Sequence, residues 1–478
     1  MILCRLETQH GMNSKADEIP PVARSWAGEA RATLLLALPL MAGQVGQMLM
    51  GVADTVMIGK VGVVPLAAST FANTLLMVPL LFGIGLLTSI SIRVSQARGG
   101  KRHDEVKDAL RHGTWLALGF GVLILLLILS LLPFLDYFGQ AEAVVEEAPE
   151  YLILTAISMI PAMVAMAWKN YGDALNRPWL PFWILLGGVL FNIWLNWLLI
   201  YGHWGLPALG LTGAGWATLI SRCVVVLGLF HWQKRAPGVK EWSPKRWWGL
   251  WNGTELKKML ALGIPVGLQL VCEVGAFAAG SLMIGSIGVV ALAAHQVALT
   301  CASTSFMVPL GISMAITVRI GEAAGEGGDS GKLRRILTGG WMYGLLFTGI
   351  SMVVFILCGR WLAAQIVTEA EVITLAAKLL VIAGVFQLVD GSQVISSSAL
   401  RGMGDVKIPA WLGAFSYWVV AVPVGAWLAF GRDHGAQGVW WGLALGLCTA
   451  AVLLGGRAWR LAGAPHACEN STLSPSVE

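Results

Sequence analysis

Apolar residues run along this chain in long blocks parted by short polar stretches. Twelve blocks reach the roughly 20 residues that a membrane-spanning helix needs. They lie at approximately 33–58, 66–92, 110–132, 149–172, 179–202, 210–233, 257–283, 290–318, 334–358, 372–400, 408–430 and 437–460. Several exceed the minimum, so tilt or kinks are expected. Pro39, Pro79, Pro161, Pro265 and Pro309 each remove a backbone donor inside a block and invite a bend.

The blocks repeat. With the chain slid along itself by 226 positions, Pro39 falls on Pro265, and Met57-Ile58-Gly59 on Met283-Ile284-Gly285. Gly62-Val63-Val64 falls on Gly288-Val289-Val290, and Leu66-Ala67-Ala68 on Leu292-Ala293-Ala294. Met77-Val78-Pro79-Leu80 meets Met307-Val308-Pro309-Leu310 after an inferred four-residue insertion, and Arg93 meets Arg319 back in register. Gly210, Gly213 and Trp216 later match Gly435, Gly438 and Trp441. Six helices per half is an even number, so both halves enter from the same side. The expected fold is therefore an all-α integral membrane protein. Its twelve transmembrane helices form two parallel six-helix lobes related by a pseudo-two-fold axis along the membrane normal. The segments expected are 1–32 (N-terminal), 33–233 (first lobe), 234–256 (linker), 257–460 (second lobe) and 461–478 (tail).

Composition agrees. The chain is 56% hydrophobic and 12% charged, against about 25% charged residues in soluble domains. It has 58 glycines, and Gly favours close helix approach in lipid. The seven cysteines show no CxxC spacing, and five lie in apolar blocks, so they read as packing residues. The start is polar up to Arg31, which argues against a cleavable signal peptide. Met12 to Asp17 looks like a polar start, with residues 1–11 as an upstream extension.

Lys and Arg set the orientation. With a cytoplasmic N-terminus, the 2–3 connection carries Arg93, Arg98, Lys101, Arg102, Lys107 and Arg111. The 6–7 connection carries Lys234, Arg235, Lys240, Lys245, Arg246, Lys257 and Lys258, and the 8–9 connection Arg319, Lys332, Arg334 and Arg335. The opposite side has only Lys60, Arg360, Lys378 and Arg432. Both termini are thus expected in the cytoplasm. The 6–7 connection also holds Trp242, Trp247, Trp248 and Trp251, which suits a segment lying on lipid headgroups. The orientation rule accounts for these charges, so no nucleic-acid partner is expected.

Acids inside the blocks are the candidate chemistry, because a charge in the bilayer core is costly. Asp54, Glu273 and Asp390 lie well inside, and Asp173 sits at the inner end of helix 4. Gln47 shares a helix face with Asp54. At the repeat-equivalent places the second half has Glu273 and Gly280, so the carboxylate sits at a different depth in each half. Asn192 and Asn196 share a face of helix 5, and helix 6 adds Thr218. Such oxygens suit a hard cation such as sodium, and a carboxylate in an apolar cavity can instead take up a proton. A cationic substrate competing for that carboxylate gives antiport. The plainer reading is that these groups only bond neighbouring helices, with Arg222 the one obvious intramembrane ion partner. His295 reads as an interfacial polar residue.

Gly51-Val52-Ala53-Asp54-Thr55-Val56-Met57-Ile58-Gly59 resembles the first-helix motif of the multidrug and toxic compound extrusion (MATE) family. Ala293 to Ala298, Ser398 to Gly402, Phe191 to Trp197 and Gly213 to Thr218 resemble it too, and together they span about 33–460. The bacterial NorM-like branch is the nearest likeness. The resemblance implies a monomeric antiporter of the bacterial inner membrane, without a cofactor, exporting cationic lipophilic drugs and dyes for H+ or Na+. It places Asp54, Asp173, Asn192, Asn196 and Thr218 in an N-lobe cation site, with Na+ a candidate ion there, and Glu273 and Asp390 in a C-lobe cation and substrate site. Sodium-coupled members often carry Tyr where this chain has Phe386, which counts against sodium in the C-lobe. A lipid-linked precursor flippase is the alternative, but such proteins line the cavity with several bases, whereas this interior is acidic. An embedded enzyme would need a metal cluster or a paired set of catalytic groups; no His-x-x-x-His occurs.

Overall fold

The computed structural model describes residues 25–244, 247 and 252–464. Twelve helices are long and apolar enough to cross a membrane. They are α1 (Trp26–Gly59), α2 (Val63–Gly99), α3 (His103–Leu131, continuing as a 3-10 turn Leu132–Phe138), α4 (Glu142–Ala174), α5 (Trp179–Tyr201) and α6 (Gly210–Arg235). The second six are α7 (Gly253–Ile287), α8 (Val289–Gly325), α9 (Ser330–Ala364), α10 (Ala370–Gly402), α11 (Lys407–Gly431) and α12 (Gly435–Gly463). The chain is a multi-pass membrane protein.

Most helices overrun the apolar blocks. α2 and α8 have 37 residues each, about 55 Å of helix, against a hydrocarbon core of about 30 Å. Their final turns therefore carry polar and charged side chains beyond the lipid. The inferred four-residue insertion is absent: α2 and α8 both start and end 226 positions apart. Four residues are close to one helical turn. Pro79 and Pro309 are the same kink-former placed one turn apart in an unbroken frame.

α11 is irregular, with π-helical turns over Phe415–Ala421 and Trp427–Gly431. Pro423 follows the first of them. Its missing N–H breaks the regular ladder, and the wider turns accommodate the break. α12 packs closely there: a Cβ on Gly442 would sit 2.3 Å from the Gly425 Cα, so only glycine fits.

The chain forms two compact units. Among described residues, the first takes in 42–94, 103–244, 247 and 252–267, and the second 25–41, 95–102 and 268–464. These divide the chain elsewhere than at the linker 234–256. α1, α2 and α7 each pass from one unit to the other along their length. The first unit has a core of Ile58, Ala72, Ile128, Leu152 and Leu211. The second has one of Ile284, Ala294, Leu379, Val439 and Leu447.

The linker packs on the first unit. Trp242 stacks on His103 at 3.7 Å between centroids, and Trp247 lies against Trp168 and Phe230. These two tryptophans pack against side chains of α3, α4 and α6. Lys245, Arg246, Trp248 and Trp251 lie outside the described residues, as do residues 1–24 with the Met12 start, Cys4 and Cys468. Cys223, Cys272, Cys301, Cys358 and Cys448 are free thiols.

Candidate cation sites

Asp54 lies five residues short of Gly59, the C-terminal end of α1. The Asn196 side-chain amide donates to its Oδ1 at 2.5 Å and also to Asn192 Oδ1 at 3.2 Å. The 3.6-residue period of α5 puts both asparagines on one buried face. Asn196 Oδ1 is buried without a hydrogen-bond partner, which leaves a carbonyl oxygen beside the carboxylate. Oxygens of this kind suit a hard cation. Arg222 on α6 donates to Ser158 Oγ at 2.7 Å and attracts Asp54 electrostatically. Thr218 is buried one turn before Arg222 on the same face. The structure thus gathers Asp54, Asn192 and Asn196, with Arg222 as a charge partner that the sequence had already singled out.

Asp173 is elsewhere. It sits at the last turn of α4, and its Oδ2 accepts from Lys169 Nζ at 2.8 Å, both side chains buried. Ser158, which marks the level of Arg222 and Asp54 on this helix, is fifteen residues earlier, or about 22 Å at 1.5 Å per residue. Asp173 therefore does not complete the Asp54 site; the plainer reading, an ion pair with a base, describes it. The double variant Lys169→Met with Asp173→Asn is expected to keep transport near that of the unaltered protein. Lys169→Met alone leaves a buried charge unpaired and is expected to cost about 3–5 kcal/mol of stability. Thermal unfolding of the purified variants, run beside transport, checks both.

The second half holds a denser cluster. Glu273 on α7 and Asp390 on α10 interact electrostatically, with Asp390 buried. Glu273 is fourteen residues from Ile287, the C-terminal end of α7. It is thus about 13 Å deeper along its helix than Asp54 is along α1. Arg401, buried near the C-terminal end of α10, attracts Glu273 and donates to Gln269 Oε1 at 3.1 Å. Gln269, one turn before Glu273, donates in turn to Ser397 Oγ at 3.0 Å. Tyr417 comes from the π-helical stretch of α11, with its hydroxyl facing Glu273. Phe386 is buried against Trp440, with ring centroids 5.6 Å apart.

Gln269, Arg401 and Tyr417 were not among the site residues read from sequence, although Arg401 lies in the Ser398 to Gly402 stretch that resembles the family. Arg401 lay just past the predicted end of its helix, at 400, and α10 runs on to Gly402. Tyr417 gave no signal, being one aromatic in an apolar block. His295 is fully buried rather than interfacial. Trp440 Nε1 donates to its Nδ1 at 3.1 Å, so Nε2 carries the proton toward Ser281 Oγ at 2.8 Å.

Two separate stretches match the MatE family model, residues 39–198 and 265–427, more than half of the chain. This chain belongs to the MatE family. The second stretch begins 226 positions after the first, residue 265 against 39, which is the internal repeat seen in the sequence. Named relatives of this MatE chain include "Probable multidrug resistance protein NorM" from Agrobacterium fabrum. It is 33% identical, and the alignment covers 92% of this chain and 95% of the relative. The protein of the same name from Xanthomonas campestris is 35% identical, covering 91% and 95%. Among solved structures, an outward-facing multidrug resistance MATE transporter superposes with a TM-score of 0.83 at 20% identity, covering 91% of this chain and 96% of that one. A MOP superfamily transporter from Pyrococcus furiosus superposes with a TM-score of 0.81 at 21% identity, covering 91% and 96%. These structural likenesses establish the fold.

Proposed function

We propose that this protein is a secondary multidrug exporter. It expels cationic lipophilic drugs and dyes in exchange for H+ or Na+, working by alternating access. The observation that carries the reading is the Glu273–Asp390 pair, two carboxylates on different helices, Asp390 buried and Glu273 half-buried, with a tethered arginine beside them. Two carboxylates in a confined apolar space favour binding of a cation, and a proton, a metal ion and a drug cation compete for the same charge. Asp54 with Asn192, Asn196 and Thr218 forms the second cation site, in the first half. The NorM relatives carry the name multidrug resistance protein, which fits. The clustering of bases in the 2–3, 6–7 and 8–9 connections supports a bacterial inner-membrane protein with both termini in the cytoplasm. It functions as a monomer, without a cofactor and without nucleic acid. Arg222 and Arg401 each stand beside a carboxylate, so neither offers the free positive pocket that a lipid pyrophosphate needs.

In proteoliposomes, ethidium is expected to move against an inward H+ or Na+ gradient imposed separately, and the gradient that drives it names the coupling ion. Absence of dye exchange under both gradients, with correctly inserted protein, rules the reading out.

A further inference from the structure

Two ion pairs outside the cation sites are repeat copies of each other. Arg93 on α2 makes a two-point contact with Glu255 at the start of α7: Nε to Oε1 at 2.8 Å and Nη2 to Oε2 at 3.0 Å. Arg319 on α8 binds the Glu29 carboxylate at the start of α1, and its Nη1 also donates to the Glu29 carbonyl oxygen at 2.9 Å. Arg319 is Arg93 moved on by the 226-residue repeat, and Glu255 is Glu29 moved on by the same amount. Each arginine takes the glutamate of the opposite sequence half. Glu29 is 0% exposed and Arg319 6%.

The helix crossings beside the pairs follow the same rule. A Cβ on Gly85 of α2 would sit 2.4 Å from the Gly267 Cα of α7. A Cβ on Gly311 of α8 would sit 2.6 Å from the Met41 Cα of α1. Gly311 and Gly267 are the repeat copies of Gly85 and Met41. Glycine lets each pair of backbones meet, and the charged pair then clasps the same two helices nearer their cytoplasmic ends. Burial makes an arginine–carboxylate pair an all-or-none joint rather than a graded one, two-point at Glu255 and through one carboxylate oxygen at Glu29, since a lone buried charge is strongly disfavoured.

We propose that Arg93–Glu255 and Arg319–Glu29 are a matched pair of latches for the transport cycle. They hold α2 to α7 and α8 to α1, and both must open before the cytoplasmic side can admit a substrate. The proposal rests on the alternating-access reading and assigns to it four residues that bind neither drug nor coupling ion. Two repeat-related arginine–glutamate joints, one per half, with Arg93 also meeting Glu105 at 3.4 Å, make cytoplasmic opening a single cooperative event with discrete closed and open states.

The test uses the full chain in inside-out vesicles with Ser89→Cys as a reporter. Ser89 is fully buried, one turn outward of Arg93 on α2. A membrane-impermeant maleimide is added from the cytoplasmic face, and labelling at position 89 is read by mass spectrometry. Glu255→Gln and Arg319→Gln are each expected to raise the labelling rate about fivefold or more, a population shift of about 1 kcal/mol. The exchange of charges, Arg93→Glu with Glu255→Arg, is expected to bring the rate back to within about twofold of the parent, which an unfolded variant cannot do. In a separate variant, Glu29→Cys with Arg319→Cys, a bifunctional methanethiosulfonate that bridges the two thiols, confirmed by mass spectrometry, is expected to stop ethidium exchange and a reductant to restore it. Unchanged labelling in both single variants, or exchange that continues through the bridged pair, overturns the proposal. The labelling needs no substrate, so failure of the unaltered protein to move dye would count against the transport reading and not against the latches.

Discussion

Asp390→Asn and Glu273→Gln are each expected to lower gradient-driven ethidium exchange about tenfold or more, equivalent to about 1.4 kcal/mol of lost coupling per step. The expectation follows from the shared charge of the cluster. Drug and coupling ion need not touch at the same moment; they only need to compete for the Glu273–Asp390 carboxylates. An amide of the same shape keeps the packing and removes the charge for which they compete. Asp390→Asn is expected to fold as the unaltered protein does, because a neutral amide in place of a buried carboxylate beside a like charge removes a penalty, whereas Glu273→Gln takes the carboxylate from buried Arg401 and is expected to lower stability. Reconstituted variants matched for insertion, with dye binding measured beside exchange, give the answer. Full exchange in both variants would sink the carboxylate model, whatever the coupling ion.

Much of the architecture was legible because it is written in long-range regularities. Helix count follows from the length of apolar blocks. The lobe relation follows from the match of Gly62-Val63-Val64 with Gly288-Val289-Val290 and the even number of helices between them. Asp54 with Asn192 and Asn196 was legible because helical period alone puts the two asparagines on one face, and an acid amid apolar residues stands out. What failed was information carried by helix ends and by partners from distant segments. Arg319 read as a base in a connection, yet α8 runs on six residues past it to Gly325, and Glu29 buries it. Asp173 read as a member of the Asp54 site, but depth along a helix cannot be judged without knowing where both ends fall. Lys169 lies only one turn before it and is its local partner. The insertion in α8 was a misreading of a different kind. A motif displaced by four residues in a helix keeps nearly the same face, so a moved proline imitates a gap in alignment while the frame stays intact.

Arg401 separates a counter-ion from a strut. It sits between Gln269, which accepts its hydrogen bond, and Glu273, which it attracts. A positive group already present beside the carboxylates weakens the hold of a drug cation on them, and so helps the drug to leave. A charge pair about 8 Å apart at an effective dielectric of about 20 is worth roughly 2 kcal/mol. Arg401→Met is therefore expected to tighten equilibrium ethidium binding by about tenfold to thirtyfold, while net exchange falls because release is slowed. Arg401→Lys keeps the charge but loses the planar fork that meets Gln269, so binding is expected to stay near that of the unaltered protein with exchange only partly reduced. A strut behaves differently: its loss lowers stability and weakens binding and exchange together, and lysine, which cannot reproduce the geometry, rescues neither. Dye titration by fluorescence anisotropy, paired with exchange rates in proteoliposomes, distinguishes the two. Weaker ethidium binding in a well-folded Arg401→Met protein would end the counter-ion account.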